Sequence, residues 1–366
     1  MTGAPREPGS GGLPVWRRRL RRVWPWLRYV LGVGLAALAL WALAGRRGEL
    51  SGATRYLSHI DWVWLAVAIA LEAGSLVAFG VVQQRLLEAG QVRMSLGRVT
   101  AVTFAVTAIA NSMPAGPVVS SVFAFRQYRR QGADEAFAGW TLAAVFVAAS
   151  VSLAVVAAAG LAVAGAEGAG LDLVWVTVGV LAAAVALGAL FVQRGVVAWV
   201  TSSSVRASRR LFHWPGEEAA ARVDAMVDRL SLVRLGARTV MSVTGWGVAN
   251  WLLDCGCLAL SFVAVGVGVP WKGLLLAYGA GQLAANLPIT PGGLGVVEGS
   301  LTIALVAFGG LETQTVAAVL LYRIISFWGE LPVGWATWGA IVWGHRMSRA
   351  GVVDARIEAE VSEVTV

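Results

Sequence analysis

The sequence predicts an all-α polytopic integral membrane protein, with about six full spans and two re-entrant broken-helix hairpins related as inverted repeats. Three observations predict it. Of the 366 residues, 57% are hydrophobic and only 14% are charged, the composition of a chain that meets lipid over most of its length. Its apolar runs repeatedly reach the roughly 20 residues needed to cross ~30 Å of hydrocarbon. Two further apolar regions are each broken by Asn, Pro and Gly, and the breaks match at an offset of 175 residues from Asn111 to Asn286.

Residues 1–23 are rich in Gly, Pro and Arg and lack hydrophobic periodicity, so they read as a disordered, basic, cytoplasmic N-terminus. The first apolar run, 24–44, ends Ala42-Leu43-Ala44 before Gly45, like a signal-peptidase site. Its length of about 20 residues favours an uncleaved anchor. Further full spans are expected at 61–82, 136–164, 171–192, 239–268 and 314–344.

The other two apolar regions are too short to cross upright. Residues 99–111 end at Asn111-Ser112-Met113-Pro114-Ala115-Gly116-Pro117 and resume at 118–125. Residues 272–286 end at Asn286-Leu287-Pro288-Ile289-Thr290-Pro291-Gly292-Gly293 and resume at 292–309. A helix of 13 or 15 residues is about 20 Å long, so each region is expected to enter the membrane and return on the same side. Charge supports that parity. With the N-terminus inside, the segments 1–23, 83–98, 126–135, 193–238 and 345–366 carry 23 of the 29 Lys and Arg, and the outside segments 45–60, 165–172, 269–272 and 309–314 carry four.

The same arrangement exposes the repeat. The halves, about 99–164 and 272–344, each run from a broken hairpin through a loop glycine, Gly132 or Gly310, into a long span. The first hairpin enters from inside and the second from outside, the pattern of inverted repeats in transporters. Between the halves, about 194–238, Val223, Val227 and Leu230 share a helical face among Arg222, Asp224, Asp228 and Arg229. That pattern reads as an amphipathic surface helix, a connector holding the halves in register. Residues 345–366 form a cytoplasmic tail.

At the second break, Pro288 and Pro291 supply no backbone donors, while Gly292, Gly293 and Gly295 allow tight turns and close approach to a ligand. The helix restarting after Pro291 would offer free N–H groups and its positive dipole end to an anionic headgroup. The first break would offer a similar end after Pro117. Glu298, seven residues beyond Pro291, is expected two turns and about 10 Å along that helix. A carboxylate in hydrocarbon must be neutral, paired or wet. Arg323 is its natural partner, and Glu330, seven residues on, is expected on nearly the same face as Arg323. Glu72 and Asp254 are further intramembrane acids, functional suspects by default. Asn250 with Asp254, and Gln282 with Asn286, are each one turn apart and extend a polar stripe. Each feature also has a plain structural reading, as a packing break, an ion pair locking helices, or an interhelical hydrogen bond.

Other chemistry finds little support. The three histidines, His59, His213 and His345, lack metal-ligand spacing, and neither a phosphate loop nor a dinucleotide fingerprint occurs. Cys255 and Cys257 point to different faces of one helix and read as core residues. No enzyme, cofactor or metal is therefore expected. The net charge of +8 comes almost wholly from arginines flanking apolar segments, so topology explains it better than nucleic acid. The expected partners are membrane lipids, with a separate lipid-modifying enzyme or a second copy of the chain as further options.

The stretch Pro-Ile-Thr-Pro-Gly-Gly-Leu-Gly-Val-Val-Glu at 288–298, with Leu-Tyr-Arg at 321–323 and Glu-Leu-Pro-Val-Gly at 330–334, resembles the flippase-like transmembrane family typified by the membrane part of bacterial lysylphosphatidylglycerol synthase. The resemblance covers about 24–344. It implies a lipid-translocating membrane domain of the bacterial inner membrane, and carries Pro291, Gly292, Gly293, Gly295, Glu298 and Arg323 over as family motif positions. No synthase domain is expected after the last span, so aminoacyl transfer is not implied. The first hairpin has Val118 and Val119 where an acidic counterpart of Glu298 would stand. The expectation is translocation of an anionic phospholipid or lipid-linked intermediate. Its alternatives are a non-transporting subunit that scaffolds a lipid-modifying or glycosyl-transferring enzyme and, less supported, a membrane-embedded lipid transferase.

Overall fold

The computed structural model describes residues 60–113, 116–166, 235–285 and 291–344, with single positions between 175 and 188. The expected span 24–44, most of 171–192, the N-terminal segment, nearly all of the 194–238 connector and the 345–366 tail lie outside the described residues. So do Pro114, Asn286 and Pro288.

Among the described residues every regular element is helical. In order they are α1 (Trp62–Ala89), α2 (Leu96–Ser112), α3 (Gly116–Arg130), α4 (Glu135–Ala166), α5 (Ala237–Ala264), α6 (Trp271–Ala285), a 3₁₀ turn at Pro291–Gly293, α7 (Val296–Ala307) and α8 (Glu312–Gly344). Four of these, α1, α4, α5 and α8, are long and apolar enough to cross a membrane, and they match four of the expected spans. α1 continues through Ala89, beyond its expected end at 82. Its last turns, Gln-Gln-Arg-Leu-Leu-Glu-Ala, are good helix formers, so the helix outlasts its apolar stretch. Asp61 starts it, its Oδ1 accepting the Val63 N–H at 2.9 Å.

Each broken region folds as two short antiparallel helices. Arg98, at the start of α2, donates from Nη1 to Gln131 Oε1 just past the end of α3, at 3.3 Å. Gly273 near the start of α6 packs on the Phe308 ring that caps α7, and Gly281 faces Leu301 midway.

Where lipid tails are as apolar as side chains, helices associate through close packing rather than water expulsion. Small residues provide it here. Gly160 of α4 lies so close to the backbone of Leu275 and Leu276 in α6 that no Cβ would fit, and Gly247 of α5 sits against Ser152 of α4. Two buried clusters result. One joins α1, α5, α6, α7 and α8 around Leu258, Phe262, Leu301 and Leu305. The other joins the end of α1 to α2, α3 and α4 around Leu86, Val99, Tyr128 and Phe137. Large apolar side chains such as Trp62, Phe146, Met241 and Ile303 face outward, an apolar exterior suited to hydrocarbon.

α8 is irregular in the middle. Residues Ile324–Gly329 are π-helical. Pro332 explains the fault, because it has no N–H to return to the Trp328 carbonyl and its ring crowds that group.

Candidate intramembrane polar site

The second break is held in shape by its glycines. Gly292, Gly293 and Gly295 have φ of 62°, 67° and 81°, a region costly for residues with a Cβ. At Gly292 there is no room for one either, since it would strike the Phe327 ring and lie 3.3 Å from the Asn111 carbonyl oxygen.

α7 therefore starts at Val296, after Gly295, and not directly after Pro291. This corrects the expected position of Glu298, which lies in the first turn rather than two turns deep. The three positive-φ glycines consume the intervening residues in turns. Glu298 Oε2 accepts the Gly295 N–H at 2.6 Å, so the helix end expected to be open to a headgroup carries a carboxylate of its own.

The other oxygen of Glu298 meets Arg323. Arg323 Nε donates to Glu298 Oε1 at 2.7 Å, and Nη2 donates to the Gly292 carbonyl at 3.0 Å. Its guanidinium also lies 4.6 Å from the Phe327 ring centre, within cation–π range. The pair is enclosed, with side chains 10% and 18% exposed for Arg323 and Glu298. One arginine thus ties the turn, the start of α7 and the middle of α8 together.

Glu330 does not join this pair. In a regular α-helix a residue seven positions on returns to nearly the same face; here π turns intervene, and Glu330 lies near the Arg323 charge without pairing to it. It is buried in hydrogen-bonding reach of Glu72 from α1 instead.

The first break lies beside the second. Asn111 ends α2 with its carbonyl toward Gly292, and Trp335 of α8 donates from Nε1 to Ser112 Oγ at 3.1 Å. Gly334 packs against the Phe104 carbonyl with no space for a side chain. Gly116 is the first residue of α3, one position ahead of Pro117, and is buried against the Ala110 carbonyl. Beyond it Val118 and Val119 are exposed. The two breaks therefore meet, but among the described residues the charge at their junction comes from the second half.

Next to this junction lies a polar core. Asp254 is 9% exposed and accepts three hydrogen bonds, from Tyr278 Oη at 2.7 Å, Tyr322 Oη at 2.8 Å and Gln282 Nε2 at 3.2 Å. Gln282 also reaches Tyr322 Oη at 3.3 Å. Asn250, one turn before Asp254, sits 3.1 Å from Ser75 Oγ of α1. The tyrosines were not singled out from the sequence. A signal existed, because Tyr278 lies one turn before Gln282 and Tyr322 precedes Arg323, and a phenol buried in an apolar span needs a partner. Cys255 and Cys257 are free and buried. Among the described residues no group of acids, cysteines and histidines is arranged to hold a metal ion.

A family model described as the lysylphosphatidylglycerol synthase transmembrane region matches residues 29–334. A UPF0104 membrane protein of Methanothermobacter thermautotrophicus is 32% identical over 161 residues, 44% of this chain and 44% of the relative. A further match to a UPF0104 membrane protein of that organism is 34% identical over 85 residues, 23% of this chain and 25% of the relative. The chain thus spans less than half the length of the curated relatives it matches. The family match, by contrast, includes both breaks, the Glu298–Arg323 pair and the polar core. With its long apolar helices, the chain is a multi-pass integral membrane protein of the lysylphosphatidylglycerol synthase transmembrane-region family.

Proposed function

We propose that the chain translocates an anionic phospholipid or lipid-linked intermediate across the cell membrane, acting as a carrier and not as an enzyme. The observation that carries this reading is Arg323, a guanidinium enclosed in an apolar bundle where two helix breaks meet. A buried cation is expensive to maintain, and a phosphate is the anion its planar fork fits. In the resting arrangement Glu298 and the Gly292 carbonyl occupy that fork. A headgroup phosphate would take the place of Glu298, and the released carboxylate would reopen the turn at Gly295. On this reading the two hairpins are re-entrant, and both termini lie in the cytoplasm with the arginine-rich segments.

The test is reconstitution into phosphatidylethanolamine–phosphatidylglycerol vesicles containing a trace of headgroup-intact, tail-labelled phosphatidylglycerol. Its outward movement is read by chemical bleaching of the outer leaflet. Wild type should move the label faster than empty vesicles, and Arg323→Gln should not. The competing reading is a non-transporting subunit that scaffolds a lipid-modifying or glycosyl-transferring enzyme. It requires both proteins to behave like empty vesicles with each anionic lipid tried, including lipid-linked phosphates.

A further inference from the structure

Three carboxyl groups from three different helices interact beside the Arg323 site: Glu72 of α1, Asp254 of α5 and Glu330 of α8, exposed by only 6%, 9% and 6%. Their surroundings differ. Asp254 receives two phenol donors and one amide donor, so both of its oxygens are partnered. Glu72 receives neither a phenol nor an amide donor. Its neighbours are the carboxyls of Asp254 and Glu330 and the thiol of Cys257, and its Oε2 is sealed from solvent without a hydrogen-bond partner.

Two carboxyl groups in hydrogen-bonding reach need a proton between them, because carboxylates have only acceptors. The nearby cation does not remove this need, since Arg323 is committed to Glu298 and Gly292. The groups facing the cluster are Cys255 and Cys257 from α5, Tyr278 from α6, and Tyr322 and Arg323 from α8, the last already paired with Glu298 of α7. Among the described residues, these three acids and Glu298 share one guanidinium. A proton held between carboxyls offsets that excess of acids without any further ligand.

We propose that Glu72, Asp254 and Glu330 form a buried proton-binding site in which Glu72 carries the exchangeable proton. Loading takes one proton from bulk water onto the Glu72 carboxylate. The resulting O–H donates to Asp254 or Glu330, and unloading returns the proton to water. The unloaded cluster places adjacent carboxylates in a low-dielectric core, where they repel. Loss of the proton thus drives α1, α5 and α8 apart at this level. Coupling of that movement to lipid rests on the translocation reading above, whereas the proton site itself does not.

The first measurement is infrared spectroscopy of the purified full chain in nanodiscs, titrated with pH in H₂O and D₂O. Wild type should show a titrating carboxylic-acid C=O band that shifts in D₂O, and Glu72→Gln, whose amide can donate in place of the acid, should lack it. Glu330→Gln removes a partner of the shared proton and should move the band, which keeps the test open if Glu72→Gln fails to fold. Absence of a titrating band in wild type, or a band unchanged in both variants, overturns the site. The second measurement repeats the labelled-phosphatidylglycerol assay with pH gradients of either sign. Reversing the gradient should change the wild-type rate several-fold and leave Glu72→Gln unaffected. A rate indifferent to the gradient overturns the coupling. If no lipid moves although the infrared band titrates, the failure lies with the translocation reading, and the proton site stands.

Discussion

Replacing Glu298 by Gln is the most informative single perturbation. The carboxylate makes two charge-assisted bonds, to Arg323 Nε at 2.7 Å and to the Gly295 N–H at 2.6 Å. Its loss leaves an enclosed guanidinium with one backbone carbonyl and one aromatic ring. Breaking a buried pair from one side costs about 3 kcal/mol or more, and the modest exposure of Glu298 places this variant near the lower figure. Arg323→Gln should cost a similar amount, because it strands the carboxylate and frees the Gly292 carbonyl. The double variant sets one neutral amide beside another, so its loss should fall below the sum of the single losses by about 2 kcal/mol. Reversible unfolding in mixed micelles for all four proteins measures this coupling. Single losses under about 0.5 kcal/mol, the level of an exposed surface pair, or strict additivity in the double variant, would refute the view that this pair closes the turn. Lipid movement separates structure from function. The double variant should regain stability but remain inactive, because no cation is left to receive a phosphate, and a double variant that transports normally refutes the assignment.

Gly292→Ala should destabilise the fold by at least about 1–2 kcal/mol from its left-handed backbone alone, with the Phe327 clash added, and Gly292→Leu with Gly293→Leu should abolish transport while the long spans still insert. Unfolding and membrane-fraction yield measure the two effects. Tyr322→Phe and Tyr278→Phe each remove one donor from Asp254 and should each cost about 1–2 kcal/mol, in the same unfolding assay. For topology, single cysteines placed at Gln131 and at Leu311 in a chain lacking Cys255 and Cys257 should be labelled from opposite sides of the membrane. Labelling from one side would end the inverted-repeat reading.

The long helices and both breaks were legible in the sequence because each rests on a local property, either apolar length or an absence of helix-compatible residues. The Glu298–Arg323 pairing was legible for a related reason, since an ionised group in an apolar segment demands a partner and few were available. The depth of Glu298 was misread. Counting from Pro291 assumes that the helix resumes at once, and only backbone geometry reveals that Gly292, Gly293 and Gly295 spend those residues in turns. That Glu330 would sit beside Glu72 rather than pair with Arg323 was not legible, because a seven-residue spacing implies one face only while the helix stays regular, and the effect of Pro332 on the turns before it depends on the packing of α8. The tyrosines that serve Asp254 come from α6 and α8, and nothing local brings them together.

A π-helical stretch holds one residue more than its length as an α-helix requires, and such a surplus is mobile in principle. Moved toward the N-terminus of α8, it would turn the residues it passes by about 100° about the helix axis while the remaining hydrogen bonds re-form one step over. Arg323 stands at the near edge of the stretch and Glu330 at its far edge. Migration past Arg323 would swing the guanidinium off Glu298 and leave Glu330 in place. α8 would then act as a crank with a fixed end and a turning end, freeing the Arg323 guanidinium without any helix unfolding.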